Sequence, residues 1–149
     1  IALNGHDIGS HNYNHELLDT DKAELEKSLI KSYDVMSNII GDLNSLRQYF
    51  RPPTLLLKKT GLEAVFESGY KYTISGNIST HDYESTSSQE ILDVIESGLV
   101  EGRGNIIVMH MNNQSYYTAE ALDKFLTNNE NGVYGKKYKI AKLSDYLEQ

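Results

Sequence analysis

The feature that most limits what this chain can fold into is a regular alternation of short apolar runs with capped helical segments. Strand-like runs fall at residues 6–10, 48–51, 70–75, 106–110 and 138–141, and helical periodicity fills the intervals between them. The first helical segment opens at Asp21 with Glu24 three residues on, a capping-box spacing. It places Leu25, Leu29, Tyr33, Met36 and Ile40 on one face, and Gly41 offers a stop. A second segment is expected from Thr60 with Glu63 to near Gly69, a third from Ser87 with Glu90 to about Ser97, and a fourth from Thr118 to about Asn128. The run Ile106-Ile107-Val108-Met109-His110 is apolar on both faces, as a parallel strand covered by helices must be. The order β-α-β-α-β-α-β-α-β predicts parallel pairing through right-handed crossovers, hence an α/β sheet or a barrel. Five strands are too few to close a barrel, so either the sheet is open or strands are missing.

In both architectures chemistry collects at the carboxyl ends of the strands. The residues expected there are His11 and His15 after the first strand, Arg51 after the second, His81 and Asp82 after the third, and His110 at the end of the fourth. His11 and His15 are four apart, so their imidazoles can converge on one divalent ion from a helical turn or a folded loop, or can hydrogen-bond around a surface loop. Arg51 stands before Pro52-Pro53, which ends the strand; it can orient a carboxylate bidentately or remain a solvated cation. His110 follows four apolar residues, either as a general acid tuned by a neighbour or as a satisfied core histidine. Asp82-Tyr83 can supply that neighbour and an aromatic wall, or form a plain Asx-turn.

A length of 149 residues is read as one domain, residues 1–149, and 39% hydrophobic with 23% charged residues describes a folded chain and not a disordered one. The formal net charge of −7, with no basic stripe, argues against a nucleic acid or an anionic membrane as partner. No run approaches the ~18 apolar residues of a membrane span. Without cysteine the chain has no disulfide, thiolate ligand or thiol nucleophile.

Taken together, these segments resemble the polysaccharide deacetylases of the NodB-homology type, carbohydrate esterase family 4, over essentially the whole chain. That family's G-H-E-I-G-x-H-S/T-x-x-H stretch is similar to Gly5-His6-Asp7-Ile8-Gly9-Ser10-His11-Asn12-Tyr13-Asn14-His15, with Asp7 for Glu and Asn12 for Ser or Thr. Its R-P-P-Y segment resembles Arg51-Pro52-Pro53-Thr54, its D-W motif Asp82-Tyr83, and its L-x-H motif Val108-Met109-His110. The closing segments, Thr118-Ala119-Glu120-Ala121-Leu122 and Leu143-Ser144-Asp145-Tyr146-Leu147, are similar as well.

The resemblance implies a distorted (β/α) barrel, N-terminally truncated here, and metal-dependent hydrolysis of N-acetyl groups on an amino-sugar polymer such as peptidoglycan or a chitin-like glycan. It implies His11 and His15 as ligands of Zn²⁺, Co²⁺ or another divalent metal, His110 as the general acid, Asp82 as its tuning carboxylate and Arg51 as the residue that orients the catalytic carboxylate. It implies that the Thr54 amide helps hold an oxyanion, and that Tyr83 and Val108 line an acetyl pocket. It also implies an extracellular or cell-surface bacterial setting. The sequence departs from the family in lacking the T-F-D-D motif that carries the third metal ligand and the general base, and in carrying Met111 after the last histidine. A catalytically inactive glycan-binding or scaffold domain of the same fold is therefore the alternative.

Overall fold

A computed structural model describes residues 1–41 and 45–147. The expected helices are present: α1 is Lys22–Ile40, α2 Lys59–Glu67, α3 Ser88–Gly98 and α4 Thr118–Glu130, with a short α5 at Ser144–Leu147. The strands are shorter than expected: β1 is Tyr49–Phe50, β2 Tyr72–Thr73, β3 Ile78–Ser79 and β4 Ile107–Val108. All described pairing is parallel, β1 with β2 and β3 with β4, as the crossover helices require.

Local chemistry sets the helix ends. The Asp21 carboxylate accepts from the Ala23 and Glu24 amides, and Gly41 closes α1 in the left-handed conformation at φ 78°. Ser87 caps α3 through Glu90 N, whereas the Glu90 carboxylate reaches back to the Thr86 amide and hydroxyl. Thr60 is not a cap: α2 begins at Lys59, behind Lys58, without a side-chain cap. Burial of Gly61, Ala64 and Val65 therefore has to hold that helix in place of an end bond.

Three strand expectations are corrected. Residues 6–10 form no strand, only a single parallel bridge from Ser10 to Phe50. β3 lies outside every strand-like run of the sequence, and it forms because its neighbour β4 supplies a parallel ladder that propensity alone does not reveal. Residues 138–141 form no strand. There the Asn129 side chain takes over the ladder's role, donating to the Tyr138 carbonyl at 2.9 Å and accepting from the Tyr138 amide at 2.7 Å.

The chain divides into two compact units, residues 1–75 with 141–149, and residues 76–140. In the first, Leu18, Leu25, Leu29, Phe50, Ala64, Val65 and Tyr70 form a buried cluster under α1 and α2. The face predicted for α1 holds in its first half, where Leu25 and Leu29 are joined by buried Ser28 and Ser32. In the second, Ile91, Leu92 and Ile95 of α3 pack with Ala121 and Phe125 of α4, and Ile107 and Met109 lie against them.

Candidate active site

In the first unit, the Ser10 bridge delivers the histidines. Ser10 N donates to the Tyr49 carbonyl and Arg51 N to the Ser10 carbonyl, both at 2.9 Å, so the chain leaves the bridge at His11 alongside Arg51. His11 Nδ1 lies 2.6 Å from the Arg51 carbonyl oxygen. A carbonyl only accepts, so His11 Nδ1 carries the proton of this bond. The His11 and His15 ring centroids are 4.8 Å apart at 84°. The structure thus brings the two imidazoles edge to face.

The loop that makes this possible is strained: Asn12 and His15 stand at φ 68° and 62°. Helix α1 restrains it. Glu16 accepts from Asn14 N and Asn14 Nδ2 at 3.0 Å each and from Ser28 Oγ at 2.6 Å, while Tyr13 N donates to Ser28 Oγ at 3.2 Å. Ser10 Oγ meets Ser32 Oγ at 3.0 Å. Burial would raise the Glu16 carboxyl, but the hydrogen bonds from Ser28 and Asn14 outweigh it and hold it below its usual range. Sequence reasoning missed Glu16, Ser28 and Ser32 as supports of this loop. The two serines on an otherwise apolar helix face were the available signal.

Asp7 does not join the histidines. Its carboxylate accepts from Ser144 N at 3.0 Å and Ser144 Oγ at 2.9 Å, fastening the start of α5. Among the described residues no group of three or more His, Cys, Asp or Glu side chains is placed to hold a metal ion. The histidine loop adds one further acceptor, the buried Asn12 Oδ1, which has no hydrogen-bond partner among the described residues. Two imidazoles suit a borderline divalent ion, but among the described residues no carboxylate joins them, so the described donors are an incomplete set.

Arg51 is half-buried, and burial alone pushes its guanidinium down from the usual value. Its backbone serves His11. After Pro52 and Pro53, Thr54 stands exposed at φ 55° and Leu55 follows at φ 59°, an uncommon conformation for a β-branched residue.

In the second unit, the register of β3 on β4 creates a pair. Ser79 lies opposite Val108, so Asp82, three residues past Ser79, and His110, two past Val108, meet beyond the carboxyl ends of the two strands. Asp82 is fully buried. Its Oδ1 lies 2.7 Å from His110 Nδ1, and its Oδ2 accepts from His110 N at 2.7 Å and Thr118 Oγ1 at 2.6 Å. Burial would raise this carboxyl, but the Thr118 and His110 hydrogen bonds hold it below its usual range, so it is ionised and His110 Nδ1 carries a proton toward it. The His110 side chain keeps 26% of its surface exposed, against none for Asp82. The buried partner fixes one ring nitrogen, while the rest of the ring stays partly in solvent.

Tyr83 stands edge-on to His110 with centroids 5.1 Å apart, its hydroxyl 3.3 Å from His81 Nδ1. His81 adopts φ 49°, the left-handed turn that carries the chain from β3 to Asp82. Val108 is buried, and its carbonyl accepts from Thr80 N and Thr80 Oγ1. A Cβ on Gly76 would collide with Val108 Cγ2, so Gly76 is what lets Val108 sit there.

Solved structures share this backbone. The Bc1960 peptidoglycan N-acetylglucosamine deacetylase superposes with a TM-score of 0.82 at 20% identity, over 100% of this chain and 66% of that one. The chain has the polysaccharide deacetylase fold. A family 4 acetyl xylan esterase from Clostridium thermocellum, solved with a cobalt ion, matches a (β/α) fold of this kind with a TM-score of 0.77 at 22% identity, over 97% of this chain and 65% of that one. A CE4 family pseudoenzyme from Bacillus anthracis matches with a TM-score of 0.74 at 21% identity, over 92% of this chain and 44% of that one. The polysaccharide deacetylase fold of this chain thus spans less than two thirds of the length of each of these relatives. No family model and no curated protein sequence matches the chain. Among the described residues no helix is long and apolar enough to cross a membrane.

Proposed function

We propose that this chain carries the histidine and proton-donor parts of a deacetylase that hydrolyses N-acetyl groups on an amino-sugar polymer, peptidoglycan or a chitin-like glycan, outside a bacterial cell. The observation that carries the reading is the Asp82–His110 pair at 2.7 Å, one partner fully buried, the other with its side chain partly exposed. Amide hydrolysis fails unless the departing nitrogen gains a proton. An imidazolium whose Nδ1 is held by a carboxylate can supply that proton from Nε2. Asp82 fixes the direction of the ring; Tyr83, edge-on to His110, and Val108 are assigned to the wall that receives the acetyl methyl. Thr54 is assigned an amide for the oxyanion, and Arg51 the orientation of a catalytic carboxylate.

His11 and His15 are the residues that would hold Zn²⁺ or Co²⁺, which when bound supplies Lewis acidity to the acetyl carbonyl. Because no carboxylate among the described residues joins them, the reading calls for an acidic segment beside them. The test joins the chain to a strand ending in Asp-Asp and incubates it with N-acetylglucosamine oligomers and Zn²⁺ or Co²⁺. Free amine is expected from that protein, and its absence under both metals refutes the reading.

The incomplete donor set also favours a second reading, a catalytically silent glycan-binding or scaffold domain. Zinc titration of the present chain separates the two. Stoichiometric binding lost in both His11→Ala and His15→Ala opposes the silent domain, whereas glycan binding that ignores metal supports it.

A further inference from the structure

Thr118 has no part in the roles assigned above, yet it closes the environment of the buried carboxylate. It is the first residue of α4 and is itself buried. Its hydroxyl donates to Asp82 Oδ2 at 2.6 Å, the oxygen that also takes the His110 amide at 2.7 Å, while Oδ1 faces His110 Nδ1. Asp82 has no exposed surface, so water cannot replace a lost donor. Both contacts from His110 come from one residue and leave the carboxylate plane free to follow it. The Thr118 bond comes from a separate element and fixes a third direction.

The intervening loop has the same construction. Residues 111–117 run from His110 to Thr118, turned by Asn112, whose Oδ1 accepts from Gln114 N at 2.8 Å and Ser115 Oγ at 3.0 Å. Both ends of this loop therefore stand on the Asp82 carboxylate. We infer that Thr118 is a positioning residue: its hydroxyl holds Asp82 in the orientation that keeps the His110 Nδ1–H directed at Oδ1 and confines proton transfer to Nε2. This rests on the hydrolytic reading of the Asp82–His110 pair. The depressed Asp82 carboxyl agrees with it, since the Thr118 hydroxyl is foremost among the hydrogen bonds that offset burial. The other titratable groups at this site are His110, Tyr83 at its ring edge, and His81 on the Tyr83 hydroxyl.

The test follows the Asp82 carboxyl carbon by NMR across an acid titration of the full chain, without substrate, in wild type, Thr118→Val and Thr118→Ser. Removing the donor to the ionised form must move the Asp82 midpoint upward in Thr118→Val, and restoring a hydroxyl in Thr118→Ser must return it to the wild-type position. If the valine does not fold, Thr118→Ala removes the same hydroxyl with less bulk and must show the same upward shift. In the chain completed with Asp-Asp, the valine is expected to lose on the order of tenfold in kcat with KM little changed. An Asp82 midpoint unmoved in a folded valine or alanine variant, or moved equally in the serine variant, overturns the assignment of Thr118. Failure of amine release in the wild-type completed protein overturns the hydrolytic reading instead, and the substrate-free titration separates the two failures.

Discussion

Replacing Asp82 with asparagine keeps the side chain's shape and removes its charge, and the contacts around it set the cost. Three donors converge on the carboxylate: His110 N and Thr118 Oγ1 on Oδ2, and His110 Nδ1 on Oδ1. The asparagine oxygen can satisfy the two donors on the Oδ2 side, and its NH₂ then faces His110 Nδ1. Two donors cannot face each other, so the imidazole must move its proton to Nε2 and accept at Nδ1. Two charge-assisted bonds become neutral ones, at a loss of about 1 kcal/mol each, and the third is reversed, giving a total cost of about 2–3 kcal/mol. Urea unfolding at neutral pH measures the energy, and ¹⁵N spectra of the His110 ring report the tautomer. A loss below about 0.5 kcal/mol with Nδ1 still protonated would refute the reasoning, because it would mean the carboxylate does not govern the ring. Asp82→Ala, which leaves three donors without an acceptor, should cost more than asparagine.

The same contacts predict an acid dependence, and a second close approach predicts a stability loss. Asp82 titrates below the unfolded carboxyl value of 3.8, so its contribution is complete above that value and is lost as pH falls through the depressed one. Chemical unfolding between about pH 5 and pH 2 should show this loss in wild type and a shallower one in Asp82→Asn; equal slopes would count against it. A Cβ at Gly9 would lie 2.7 Å from the Tyr49 carbonyl oxygen, which takes the Ser10 amide. Gly9→Ala should therefore cost about 1–3 kcal/mol in urea unfolding and broaden the His11 and His15 ring resonances, and an alanine variant as stable as wild type would contradict the close approach.

Much of the fold was legible because its signals are local. Asp21 and Ser87 cap helices and Gly41 ends one, each at the position the sequence marks. The strands were less legible because each described one is only two residues long and is defined by its partner, not by its composition. Ile78–Ser79 became a strand only against Ile107–Val108, and Tyr138 stayed out of one because Asn129 satisfied its backbone first. The site divides in the same way. His11 with His15 and Asp82 with His110 are each brought together, as spacing and strand ends suggested. Thr118, Glu16 and Ser28 were hidden because each acts through a partner at least 12 residues away, and hydroxyls at helix positions look like caps or surface until that partner is seen. Arg51 was read for its side chain, whereas its backbone carbonyl accepts from His11 Nδ1.

The measurement closest to the central claim is the rate of amine release from N-acetylglucosamine oligomers by the completed chain, with and without His110→Ala. Loss of the proton donor should lower kcat by about 10²- to 10⁴-fold while metal binding through His11 and His15 persists. Unchanged kcat in the alanine variant would contradict the account, since no role would then remain for the Asp82–His110 pair in the reaction.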